Sequence, residues 1–270
     1  MGVTIKVKNK IFLYVVVRWF CFLFERTFFR PGALLLGILL LFLASYDGLS
    51  ENPFVPDRPG FSTGTYIVNP GGVYVELGYE YTRYDLSIPF SMIFFPQTNI
   101  RFGVLPKLEL NLEWSGVGLL DKKLYDFSYY GVGAKLSLLR HVDGNLSLLG
   151  NLMFQRSDDL TTFFPYIGFL GDYGINSWLD IFGSVYLGFW DANENYSAFA
   201  VGLEAATLHN LSLYLEYYSE FDEANLPNTH HINAGVMYLI SPDIQIDTFW
   251  GTGLTGHSYW QWGLGLSFRF

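Results

Sequence analysis

The chain has 270 residues, of which half are hydrophobic, 19% aromatic and only 15% charged, against about 25% charged in ordinary soluble domains. The formal net charge of −9 gives a nucleic acid nothing to bind, and the single cysteine, Cys21, excludes a disulfide framework or a cysteine-based metal site. Past residue 45 no apolar run approaches the ~18 to 20 residues that a membrane-spanning helix needs, so a membrane reading has to rest on strands.

Residues 1–45 stand apart. They hold Lys6, Lys8, Lys10, Arg18, Arg26 and Arg30 against the one acid Glu25, and end in the apolar run Ala33 to Ala44. A basic lead, a short apolar core and the small residues Ala44 and Ser45 before a polar stretch predict a secretory signal peptide cleaved near Ser45. As a retained anchor the run is short. The run Ile11 to Phe24 is interrupted by Arg18 and the lead is long, which leaves the start site open. Cleavage removes Cys21, whose neighbours Trp19 and Phe20 do not suit lipid attachment, and leaves a net charge of −14. Residues 46–72, polar and proline-bearing, read as a periplasmic lead-in.

From residue 73 onward the apolar residues recur with a period of two. Val73 to Arg83 sets Val73, Val75, Leu77, Tyr79 and Tyr81 on one face and Tyr74, Glu76, Gly78, Glu80 and Thr82 on the other. Strands follow near 94–104, 107–115, 128–139, 145–155, 163–173, 178–190, 196–207, 211–219, 231–240, 244–250 and 259–270, although Pro165 blurs the sixth. Twelve is an even number, as in bacterial single-chain barrels. Tight connections at 104, 140, 173, 208 and 240 alternate with segments around Asp85, Lys122, Asp158, Asn193, Glu223 and Thr255 that read as mostly longer. Short turns on one rim and long loops on the other predict an all-β, antiparallel, up-and-down transmembrane barrel over 73–270, in the outer membrane of a Gram-negative bacterium, with both termini periplasmic. A soluble sandwich would have to hide the Leu, Phe and Trp faces of every strand. The closing strand alternates Trp260, Trp262, Leu264, Leu266, Phe268 and Phe270 with small or polar residues. Its aromatic end, Phe268 and Phe270, resembles the assembly signal of outer-membrane barrels, which implies the assembly machinery and lipid as partners.

The segment DRPGFSTGTYIVNPGGVYVELGYEYTR, residues 57–83, resembles the opening of the bacterial family labelled "putative MetA-pathway of phenol degradation". The likeness rests on Asp57, Arg58, Pro59, Phe61, Gly71, Glu76, Gly78 and Tyr79; Pro56 stands where that family often has threonine. It implies an outer-membrane transporter of aromatic or other apolar compounds, and carries no catalytic residues.

Enzymes built on twelve-stranded barrels need a nucleophile with a base in reach. His141 and His209 fall on tight turns, His230, His231 and His257 lie toward the other rim, and no serine stands in a hydrolase pattern with any of them. We therefore expect no catalytic residues, no cofactor and no metal; the acids of DANEN at 191 and EFDE at 220 read as hydrated loops. The inward residues are more informative. Glu76, Glu80, Glu109 and Glu113 neighbour Arg101, Lys135 and Arg269, and Arg101 is spaced to bridge carboxylates on both adjacent strands. The far wall carries Asp180, Glu204, Glu216 and Asp247 without an inward base, beside Phe182, Tyr186, Trp190, Tyr214, Tyr218 and Phe249. Unpaired carboxylates need water, so this wall predicts a channel or transporter for small aromatic, apolar or cationic solutes. A structural or adhesive barrel with a filled lumen is the alternative, and a lipid-modifying enzyme a third. Asp57, Arg58 and Pro59 either plug the periplasmic mouth or turn the lead-in before the first strand.

Changing Phe270 to a charged residue should impair assembly, read as loss of the heat-modifiable band and a lower membrane yield.

Overall fold

The computed structural model describes residues 54–270 apart from 122, 126–127, 158–159, 192–193, 209, 223–228 and 256–258. The signal-peptide reading over 1–45 and the first part of the lead-in lie outside the described residues.

Among the described residues fourteen strands form one antiparallel sheet: β1 (Val73–Tyr84), β2 (Phe90–Leu105), β3 (Leu108–Trp114), β4 (Val117–Leu120), β5 (Lys123–Tyr125), β6 (Ser128–Arg140), β7 (Gly144–Ser157), β8 (Leu160–Asn176), β9 (Leu179–Asp191), β10 (Glu194–Leu208), β11 (Leu211–Asp222), β12 (Thr229–Ser241), β13 (Ile244–Thr255) and β14 (Tyr259–Arg269). β1 pairs with both β2 and β14, so the sheet closes on itself. β3 and β4 both pair with β2 and are a single stave broken at Gly116, whose φ of 83° is open to glycine and where a Cβ would lie 2.7 Å from Pro96 O. With β5 leading into β6, the barrel has twelve staves.

Burial is inverted relative to a soluble protein. Leu152, Phe169, Val185, Leu203, Leu215 and Leu264 are exposed on the outside, whereas Glu76, Arg101, Glu109, Lys135 and Glu216 are almost wholly buried. That inversion fits a wall with hydrocarbon outside and polar groups inside. At closure Val75, Leu77 and Tyr81 stand opposite Phe268, Leu266 and Trp262, one continuous apolar row across the seam.

Inward aromatics are seated over inward glycines in register. Phe182 faces Gly202, Tyr186 faces Gly168, Tyr214 faces Gly235 and Phe249 faces Gly263. A Cβ on these glycines would fall 2.3, 2.8, 2.4 and 2.2 Å from the respective rings, so each ring lies flat along the wall because its partner has no side chain.

Two expectations about the strands change. The staves run further toward the long-loop rim than the sequence period suggests: β2 begins at Phe90, β13 reaches Thr255, and the connections around Asp158 and Asn193 shrink to two residues each. Pro165, which blurred the pattern, pairs with Leu152 on β7 and lies just past the stretch where β9 pairs with β8, leaving its missing N–H without consequence.

The larger correction concerns the lead-in. Residues 54–68 do not stop at the mouth; they run inside the barrel. The chain leaves the lumen beside β2, where Gly71 N donates to Gly103 O at 2.8 Å and Gly103 N to Gly72 O at 3.1 Å. A Cβ at Gly103 would lie 1.9 Å from Asn69 O, a backbone atom that can give way only by moving the whole segment. Gly103→Val should therefore destabilise the barrel by about 1–3 kcal/mol and lower the temperature at which the folded band is lost on a gel.

Candidate functional site

The root of the inserted segment is held by charge. Glu76, Arg101, Glu109 and Lys135 point inward from β1, β2, β3 and β6, four adjacent staves, and are each 1% exposed or less. Arg101 stands opposite Tyr74 and Asn111 in register, so its long side chain reaches its acids on the diagonals. Its Nε lies 2.9 Å from Glu109 Oε1 and its Nη2 3.0 Å from Glu109 Oε2, a two-point fork. Its Nη1 lies 3.1 Å from Glu76 Oε1 and 3.3 Å from Asp57 Oδ1 of the inserted segment. Lys135 Nζ donates to both Asp57 oxygens at 2.8 Å and lies 3.3 Å from Glu109 Oε1.

Backbone groups of the segment complete this cluster. Asp57 N donates to Glu76 at 3.1 Å and Val68 N to Glu109 at 2.7 Å, while Tyr66 O accepts from Arg101 at 2.6 Å and from Lys135 at 3.3 Å. Two cations therefore meet three carboxylates inside a desolvated wall, and the third carboxylate, Asp57, comes from the plug.

The tip is held by neutral donors and by a ring. Gly60, at a φ of 118°, turns the chain so that Phe61 N donates to Glu216 Oε2 at 2.7 Å and Ser62 N to Glu216 Oε1 at 2.8 Å. Asn233 Nδ2 adds a third donor to Glu216 at 2.8 Å. The Phe61 ring stacks on Tyr218, centroids 4.4 Å apart and 4° between planes, and stands edge-on to Tyr186 at 5.7 Å. Thr63 N donates to the Tyr186 hydroxyl at 2.9 Å, Ser62 meets Ser184, and the Thr65 hydroxyl donates to Asp172. Arg58 reaches Gln97 Oε1 and Leu264 O, each at 3.3 Å, and its Nε lies 3.7 Å from Asp247 Oδ1.

The segment divides the lumen. A cavity of about 370 Å³ toward the long-loop rim is lined by Glu80, Gln97, Glu113, Trp114, Tyr166 and Phe249. Another, of about 300 Å³, opens toward the short-turn rim beside Asp172, Asp180, Phe182, Glu204 and Tyr214. Asp57, Arg58, Pro59 and Thr63 line both.

Of the residues expected to pair, Glu76, Arg101, Glu109 and Lys135 come together. Arg269 does not join them: its Nε lies 2.6 Å from Asp243 on the neighbouring turn, since position 269 sits at the rim. Glu80 accepts from Gln97 at 3.1 Å, and Glu113 from Asn111 and Asn151, so both are met by amides rather than bases. The expectation of an unpaired far wall is corrected at Glu216, which the plug meets through its amides, whereas Asp247 has Arg58 Nε at 3.7 Å and no hydrogen bond from the described residues. Asp180 and Glu204 face each other across β9 and β10. The side chain of Trp190 lies outside the described residues, as do those of 191–194 and 222–223 in the acidic loops. Sequence reasoning missed Phe61, Thr63, Thr65, Tyr66 and Asp172; the plug acts largely through its own amides and carbonyls, which every residue carries.

Replacing Arg101 by Met leaves Asp57, Glu76 and Glu109 with Lys135 alone, and should destabilise the plugged state by about 3–5 kcal/mol. Proteolysis at 54–68 under native conditions should then become rapid. Arg101→Lys should recover only part, because one ammonium cannot span Glu76 and Glu109.

No protein-family model and no curated protein matches the sequence. Solved structures do. An outer membrane channel from Pseudomonas putida F1 is similar at a TM-score of 0.55 and 11% identity, over 79% of this chain and 99% of that one. The KdgM porin matches at 0.51 and 11%, over 72% and 99%, and the NanC porin at 0.51 and 10%, over 73% and 98%. At such identities the likeness is one of fold: the chain is a closed twelve-stave barrel of the kind that outer-membrane porins and channels of Gram-negative bacteria adopt.

Proposed function

We propose that this protein is an outer-membrane channel for small solutes whose lumen is closed by residues 54–68 and opens when that segment withdraws. The observation that carries the reading is the division of the lumen: four plug residues form the wall shared by a cavity on each side. The partition is held by hydrogen bonds and ion pairs, which water and solute can replace. The fold shared with porins and channels supports the same reading, and so does the resemblance of residues 57–83 to a family regarded as outer-membrane transporters.

The solute class follows from what withdrawal uncovers. Glu216 and Asp247 lose their plug partners and join Asp172, Asp180 and Glu204 on one wall, among Phe182, Tyr214, Tyr218 and Phe249. Carboxylates flanked by aromatic faces favour cations and neutral aromatic solutes over anions. A structural barrel with a permanently filled lumen is the second reading, favoured by the full complement of partners around Arg101 and Glu109.

Single-channel recording separates the two. A barrel lacking residues 54–68 should conduct at least about tenfold more than the full chain, with reversal potentials on the cation-selective side, and neutralising Glu204, Glu216 and Asp247 together should reduce that selectivity. Silence of the excised barrel would establish the structural reading instead.

A further inference from the structure

We propose that the slot filled by Phe61, its backbone amide and Arg58 is a binding site for an aromatic solute carrying a cationic nitrogen, and that such a solute displaces the plug. The proposal rests on the channel reading and names its substrate class.

The tip of the plug has the chemistry of such a solute. Phe61 presents a ring to Tyr218 and Tyr186, and its amide nitrogen, two carbons from that ring, donates to Glu216 at 2.7 Å. That nitrogen, two carbons and a phenyl ring are the skeleton of a 2-phenylethylammonium ion. Three residues earlier, Arg58 brings a full positive charge toward Asp247 on β13. The plug thus delivers one ring, N–H donors and one cation to a wall of two carboxylates and two tyrosines.

The fit is incomplete in a way that favours a mobile ligand. Asp247 is buried, yet neither of its carboxylate oxygens accepts a hydrogen bond from the described residues, and Arg58 Nε stays 3.7 Å away. Tyr214 is 5% exposed and its hydroxyl has no partner among the described residues; Asn233 Oδ1 is in the same position. Buried groups left without partners are costly, so an occupant that met them would bind better than the tethered one. Phe61 is held by its backbone and cannot slide. A free ammonium ion carries three donors where the Phe61 amide has one, and can turn them toward both oxygens of Glu216. A neutral aromatic would satisfy only the ring slot, and an aliphatic amine only the acids.

The full-length protein refolded in detergent should bind 2-phenylethylammonium chloride in a calorimetric titration, with 2-phenylethanol and butylammonium each about tenfold weaker or worse. In bilayers the same compound should raise the conductance of the full chain. Phe61→Ala, which weakens the internal competitor and leaves the wall intact, should tighten binding by about tenfold. Glu216→Gln should weaken it by at least that factor; if that variant fails to assemble, Tyr218→Leu should abolish the advantage of phenylethylammonium over butylammonium. The proposal is overturned if phenylethylammonium binds neither the full chain nor Phe61→Ala, if 2-phenylethanol binds equally well, or if neither substitution changes the affinity. Conduction by the plug-excised barrel together with any of those results would sink the site and keep the channel; binding with a silent excised barrel would do the reverse.

Discussion

Everything inside this barrel depends on where Arg101 puts its charge. A guanidinium with no exposed surface needs carboxylates in fixed positions, and the sheet register supplies Glu76 and Glu109 on either side of it. Those two acids still exceed what one arginine can satisfy, and Lys135, paired in register with Glu109, brings the second cation. Two cations and two anions would balance without help, but their spare donors would face an empty lumen. Twelve staves enclose more space than side chains from an eight-stranded wall would fill. Asp57 and the carbonyls of Val55 and Tyr66 take up those donors, so the plug is drawn in by the same charges that line the wall.

The strands were legible because an apolar outer face and a polar inner face force an alternation, which is clear on every stave but the one Pro165 blurs. Arg101 as a bridge between two strands was legible too, because inward positions on neighbouring strands can be aligned once the turns are known. Arg269 was misplaced by the same procedure: alignment identifies neighbours along a strand but not how near the rim they are, and at the rim Asp243 on the turn is closer. The path of the plug had no period to betray it. Its segment carries Pro59, Gly60 and Gly64, which read as a turn, and nothing in the sequence says whether a turn lies outside the barrel or within it.

That omission explains the acidic wall. Counting inward side chains leaves Glu216 without a base, and the count is right; what meets it is a pair of backbone amides and Asn233. A carboxylate can be satisfied by dipoles as well as by charge, and dipoles leave no trace in the composition. With the plug in place these residues form a closed polar core.

The root and the tip of the plug are held by different kinds of contact. Near Asp57 the contacts are ion pairs among buried charges, and breaking them strands carboxylates in a desolvated wall. Near Phe61 they are three amide donors, to Glu216 and the Tyr186 hydroxyl, a Ser62–Ser184 contact, a stacked ring and the longer reaches of Arg58, among them 3.7 Å to Asp247. Gly60, at a φ of 118°, turns the chain at the tip, and Val68 N holds Glu109 at the root. Release of the tip alone would empty the space beside Tyr218, Glu216 and Asp247, leaving the root in place to guide the segment back. On the proposed reading, a plug anchored in this way would close the lumen without having to leave it.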